Sequence, residues 1–241
     1  MAGALLEVAG LSKRFGGFVA LDRVTVQVKA GERFGLIGPN GSGKTTLINC
    51  VSGALSADGG RILFNGRDIT AIPAYQRTRL GIVRTFQIPK PFTSMTVLEN
   101  LGIALEYAAR TRSRGTDATA EAMEILRTIG LDAKSHLKPA GLTQIEMRKL
   151  ELARAMAARP KLLISDEAMA GLSSAEVDDI LTILFRLNGQ GITIIMIEHI
   201  MRAVMRFSER IVVLDAGNRI AEGTPDEIVR NPAVEKAYLG E

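Results

Sequence analysis

The sequence predicts an α/β fold: a mostly parallel sheet, an antiparallel β subdomain at the N-terminus, and a helical subdomain inserted midway. Three observations carry this. VALDRVTVQV, from residue 19, alternates, with Val24, Val26 and Val28 on one face and Thr25 and Gln27 on the other, as in an antiparallel strand with one wet side. RFGLIG, KLLIS and GITIIMI are short continuous apolar runs, as in strands covered by helices on both faces. Each of these runs precedes a helix-compatible segment, namely KTTLINCVSG, SSAEVDDILTILFRLN and HIMRAVMRFS, which is the alternation of an α/β sheet.

Between the early strands and KLLIS, residues 90–159 read almost wholly helical (TVLENLGIALEYAAR, ATAEAMEILRTIG, IEMRKLELARAMAA). The chain is therefore expected to be one domain over 1–241, with a core of 1–89 and 160–241 and a helical subdomain of 90–159. RTRSRGTD at 110–117 is polar with a glycine and no interleaved aromatics, which fits a solvated inter-helix loop better than a nucleic-acid patch. Near the C-terminus, Thr224, Pro225 and Glu227 form a capping-box pattern with proline in the first turn, and Asn231 with Pro232 repeats cap and proline.

At 241 residues and 46% hydrophobic content, the chain can bury one full core. Thirty Lys and Arg against 26 Asp and Glu give a net charge of +4, compatible with anionic ligands or a membrane surface and selecting neither. The single cysteine, Cys50, excludes an internal disulfide and reads as a small core residue. MAGALLEVAGL lacks the pattern of a secretion signal. No apolar run nears the roughly 20 residues that span a bilayer, so any membrane role is expected to come through a partner.

GPNGSGKT, Gly38 to Thr45, satisfies G-x-x-x-x-G-K-[ST] and has a strand before it and a helix after it. Gly38, Gly41 and Gly43 let the backbone turn tightly and aim its amides inward, and the helix start adds partial positive charge. With Pro39, Asn40, Ser42 and Thr46, the loop makes a concavity suited to phosphate oxygens. Lys44 is placed to reach the β- and γ-phosphates, and the Thr45 hydroxyl to ligate Mg²⁺.

A second metal contact and a water-activating group are then expected on a neighbouring strand. KLLISDE supplies both at its carboxyl end: Asp166 suits the outer Mg²⁺ shell and Glu167 the general base. Two adjacent acids also fit a solvated loop; the glycine loop argues against that. ITIIMIEHI ends in Glu198 and His199, and the histidine fits a helix cap or the surface unless a γ-phosphate lies beside it. No N-K-x-D or T-K-x-D box that would read guanine is present, while adenine needs only a flat partner, which Phe15 or Tyr75 could provide.

The order of these elements resembles the ATP-binding subunits of ABC transporters over nearly the whole chain: KRFGG, GPNGSGKTT, RTFQ, RKLELARAM, ISDE, AGLSS and IEHI. The resemblance implies a P-loop NTPase core of the ABC ATPase kind, with ATP and Mg²⁺ as cofactors. It implies that Phe15 stacks on adenine, that Gln87 senses Mg²⁺ and the γ-phosphate, that His199 serves catalysis, and that Ala170 to Ser174 cross to an opposing subunit. Gln87 also reads simply as a polar residue ending the strand GIVRTF. LLEVAGLSKRFGGFVALDRV and AEGTPDEIVRNPAVEKAYLGE are similar to the branched-chain amino-acid uptake subgroup, which implies import of such amino acids.

One segment departs from the family pattern. Where L-S-G-G-Q is expected, the chain has Leu142, Thr143, Gln144, Ile145 and Glu146. Both glycines are gone, Ile145 adds a branched side chain, and Glu146 adds negative charge. Thr143 and Glu146 instead fit a capping box that occupies amides an incoming phosphate would use. The chain is therefore expected to bind ATP in its own loop yet serve poorly as the opposing jaw. A heterodimer with a second ABC ATPase subunit is expected ahead of a homodimer, together with permease subunits, a solute-binding protein acting indirectly, and no nucleic acid. The location expected is cytoplasmic, peripheral on the inner face of the cell membrane. The alternative is a nucleotide-responsive regulatory subunit with weak hydrolysis.

Overall fold

The computed structural model describes residues 4–85, 89–109 and 118–239. Two long strands, β1 (Ala4–Phe15) and β2 (Phe18–Lys29), form a hairpin, followed by β3 (Arg33–Ile37) and the helix α1 (Lys44–Ser52). Next come β4 (Gly59–Phe64), β5 (Arg67–Asp68), α2 (Ala74–Leu80) and β6 (Ile82–Arg84). Three helices follow, α3 (Val97–Ala109), α4 (Ala118–Ile129) and α5 (Gln144–Ala157). The chain then alternates β7 (Leu162–Asp166), α6 (Ser174–Gly189), β8 (Thr193–Ile197), α7 (Met201–Phe207) and β9 (Arg210–Asp215). It ends in β10 (Asn218–Gly223), α8 (Pro225–Val229) and α9 (Pro232–Leu239).

The strands make two sheets, an antiparallel one in the order β2-β1-β4-β5 and a six-stranded one in the order β10-β9-β3-β8-β7-β6. In the second sheet β3, β6, β7, β8 and β9 run parallel and β10 is antiparallel at the edge. On β2, Val24, Val26 and Val28 are buried while Thr25 and Gln27 are exposed, as the alternation predicts. Every residue of β7 and β8 is buried, because α1 and the antiparallel sheet cover one face of the parallel sheet and helices cover the other.

That two-sided burial divides the apolar interior. One cluster joins the antiparallel sheet to one face of the parallel sheet, with Leu47, Ile48, Cys50 and Val51 of α1 between them. The other packs α3 to α7 against the opposite face. Helix α1 is thus clamped between two sheets. Its C-terminal carbonyls are satisfied by Arg77 of α2, a buried guanidinium that donates to Cys50 O at 2.6 Å and Val51 O at 2.9 Å.

The strand order corrects one expectation. The strand ending in Asp166 and Glu167 is not next to the strand that leads into the glycine loop; β8, which leads to His199, lies between them. Three strand ends therefore meet at one edge instead of two.

Candidate functional site

The loop after β3 is shaped by its glycines. Gly38 has φ 150°, and a Cβ there would stand 2.1 Å from Leu214 O; at Gly43, φ 103°, a Cβ would stand 2.6 Å from Ala20 O. No side chain fits between the loop and the strands it passes. Gly43 is the N-cap of α1 and supplies no side-chain cap, and the first turn contains no acid. By contrast α5, α6 and α8 each begin with a full capping box. The start of α1 thus offers its amides and its positive end to something outside the helix, and Thr45 is exposed there.

Lys44 is buried and folds back along its own loop, donating to Gly38 O at 2.7 Å and Pro39 O at 3.0 Å. Burial holds its ammonium below the ordinary range, while the charges of Glu167 and Asp166 pull the other way. Those two acids are therefore close enough to feel Lys44, which places the glycine loop and the end of β7 at one site.

Asp166 closes β7 opposite Ile197 of β8. Its Oδ2 pairs with Arg84 Nη2 at 2.5 Å, and the same guanidinium donates to Asn49 Oδ1 of α1. Glu167 follows with φ 48°, a left-handed conformation uncommon for a residue with a Cβ. Its amide donates to Ile197 O at 2.9 Å, and its Oε1 lies 3.0 Å from His199 Nε2. The structure thus brings together Gly38 to Thr46, Asp166, Glu167 and His199.

Phe15 lies at the end of the β1–β2 hairpin, half exposed, with the Lys13 ammonium 5.7 Å from its ring centre. Tyr75 lies on α2 under Arg79, and its carbonyl accepts from the Tyr107 hydroxyl. Gln87 and the segment 110–117 lie outside the described residues.

At the start of α5 the predicted capping box is present: Glu146 N donates to Thr143 Oγ1 at 3.4 Å and Thr143 N to Glu146 Oε2 at 2.9 Å. Two expectations about this segment change. Ile145 is half-buried against the apolar cluster of the helical region, so its side chain turns inward. Glu146 forms an ion pair with Lys134 at 2.7 Å, and that contact chiefly holds its carboxyl below the ordinary range. The negative charge is partly neutralised by a residue with no sequence signal linking it to Glu146. Arg84 and Glu198 sit in the segments RTFQ and IEHI, but nothing local in either gives them their partners Asp166 and Met169. Glu198 is buried and accepts from Met169 N at 2.8 Å.

A nucleotide-phosphate loop, two strand-end acids and a histidine on a parallel sheet define a P-loop ATPase. The comparisons agree and go further: residues 21–170 match the ABC transporter family, more than half of the chain, so the chain belongs to that family. Its class is that of the family's ATP-binding subunits, which hydrolyse ATP. Residues 218–241 match the family described as branched-chain amino acid ATP-binding cassette transporter.

Among its relatives, the high-affinity branched-chain amino acid transport ATP-binding protein BraF of Pseudomonas aeruginosa is 38% identical over 100% of both chains. LivG of Escherichia coli, with the same description, is 39% identical over 100% of both. A probable LivG of Archaeoglobus fulgidus is 40% identical over 98% of this chain and 95% of its own. Among solved structures, a nucleotide-free ATP-binding cassette from an ABC transporter superposes with a TM-score of 0.89 at 34% identity, covering 99% of this chain and 100% of that one. A cassette in its ADP conformation gives a TM-score of 0.89 at 35% identity, with 99% and 100% covered.

Proposed function

We propose that this chain powers the import of branched-chain or related amino acids by hydrolysing Mg-ATP against partner permease subunits. The observation that supports it most directly is the uncapped start of α1 beside the Glu167–His199 pair. In this reading the amides of Gly38 to Thr46 and the Lys44 ammonium take the β- and γ-phosphates. Lys44 would exchange its loop carbonyls for phosphate oxygens, a change favoured by the opposite charge. Phe15 packs on the adenine.

The donor set fits a hard cation. The Thr45 hydroxyl would be one oxygen ligand and Gln87 another, the Asp166 carboxyl suits the outer shell, and the described residues contain no cluster of three His, Cys, Asp or Glu able to hold a metal alone. Mg²⁺ of that kind takes its remaining ligands from phosphate and water, and when bound it neutralises charge developing on the transferred phosphoryl group. Glu167 takes the proton of the attacking water, and His199, its Nε2 3.0 Å from Glu167 Oε1, orients that carboxylate.

The permease is proposed to dock near Gln87 and the segment 88–92, where Phe92 is exposed under Arg154. The second ATPase subunit is proposed to differ from this chain and to carry glycines in its signature, since the capping box here occupies part of the α5 start. A cytoplasmic position on the inner membrane face follows from that docking; among the described residues no helix is long and apolar enough to cross a membrane.

The test is labelled leucine uptake by vesicles holding the assembled transporter and its solute-binding protein, with ATP inside. Uptake that needs both ATP and an intact Lys44 is expected. Uptake unchanged by Lys44→Ala would overturn the reading.

A further inference from the structure

We infer that Glu198 is a positioning residue for hydrolysis: its buried carboxyl group grips the loop that follows Glu167 and so fixes Glu167 against His199. The inference rests on Glu167 being the base.

Glu167 needs holding. A left-handed backbone is unfavourable for a residue with a Cβ and persists only where its surroundings fix it. Three contacts tie the exits of β7 and β8 together. Glu167 N donates to Ile197 O at 2.9 Å, Glu167 Oε1 meets His199 Nε2 at 3.0 Å, and Met169 N donates to Glu198 Oε1 at 2.8 Å. Only the last is made by a side chain with almost no exposure to water, 3%. A carboxyl group in that position is costly to bury, and the amides of Met169 and His199, with the nearby charge of Arg148, offset part of that cost.

The same loop is held from its other side by α5. Ala170 O accepts from Arg148 Nη2 at 3.3 Å and from Gln144 Nε2 at 3.5 Å. The stretch from Glu167 to Gly171 is thus suspended between Glu198 on the core side and the start of α5 on the helical side. Loss of the Glu198 contact frees the Met169 amide, lets Glu167 relax toward negative φ, and swings its carboxylate away from His199. Nucleotide affinity should be spared, because the phosphate loop belongs to β3 and α1.

The experiment compares Glu198→Gln, which keeps an acceptor oxygen at the same reach, with Glu198→Leu, which keeps the bulk and loses the acceptor. Hydrolysis of Mg-ATP by the transporter complex and affinity for a fluorescent ATP analogue are both measured. Expected for Glu198→Leu is a fall in kcat of about tenfold or more, with affinity within about threefold. For Glu198→Gln, kcat should stay within about threefold of the parent. Parental kcat in a folded Glu198→Leu, or equal losses in both variants, would overturn the inference. If the leucine variant does not fold, Glu198→Asp withdraws the oxygen by one methylene and serves instead; parental kcat there overturns it too. Glu167→Gln, run alongside, separates the two claims: its loss of hydrolysis with a normal Glu198→Leu sinks the positioning role alone, and its normal hydrolysis sinks the base and the inference together.

Discussion

Glu167 and Glu198 are two carboxyl groups a few residues apart in space with opposite requirements. As the proposed base, Glu167 has to be aimed at water; Glu198 is buried and, in the inference above, holds the loop that aims it. Glu167→Gln removes the proposed base and leaves the proposed phosphate ligands, so ATP should bind as before while hydrolysis falls by about a hundredfold or more. Parental turnover in that variant removes Glu167 from the mechanism.

Burial, with the charge of Glu167 nearby, pushes the Glu198 carboxyl up from its ordinary 4.5 to about 7, and the Met169 amide, the His199 amide and Arg148 oppose this only in part. Between those values the folded chain holds a proton that the unfolded chain has lost. The stability this group contributes is therefore full below pH 4.5 and lost as pH rises through about 7. Unfolding free energies from urea titrations of the parent and of Glu198→Gln should diverge between pH 5 and pH 8 by about 2 to 3 kcal/mol, with the glutamine chain gaining. Parallel free energies across that range would show that Glu198 does not titrate there.

Helix α1 shows how an element is made to serve a ligand. Its N-terminus carries no side-chain cap, an opening the proposed function gives to phosphate, and Arg77 secures its other end. The guanidinium donates to Cys50 O and Val51 O at one end of α1 and to Ile72 O and Thr70 O in the loop before α2. Arg77→Met removes four donated hydrogen bonds at once, leaving Cys50 O only the amide of Gly53, and should cost about 3 kcal/mol or more, measured by urea unfolding. A loss under about 0.5 kcal/mol would mean that water replaces the guanidinium at no cost.

Helix α5 makes the reverse choice. Its start is closed by its own side chains through the Thr143–Glu146 box, with Lys134 against the acid. The box was legible from T-x-x-E alone, because it is local. The inward turn of Ile145 and the Lys134 pair were not, because both depend on how the chain packs between α4 and α5.

The whole molecule sets what the chain can do alone. One phosphate loop and one α5 start lie in the same chain, and in the proposed dimer each loop is completed by the opposite subunit's signature. The purified chain should hydrolyse ATP slowly, and a second subunit with glycines in its signature should raise the rate. Rapid hydrolysis by the chain alone, rising with the square of its concentration, contradicts heterodimer pairing.

The sequence by itself determined the glycine loop, the alternating face of β2, the buried runs of β7 and β8, and the caps of α5 and α8. Each is a short-range pattern whose physics is complete within about ten residues. It also marked Asp166, Glu167 and His199, since each ends an apolar strand. Only the tertiary structure decided that β8 lies between β3 and β7, that Arg84 holds Asp166, and that Glu198 holds Met169. Strand order and ion pairing between distant segments follow from which surfaces pack together. No local pattern encodes that choice, because Arg84 and Asp166 meet only after the sheet has assembled.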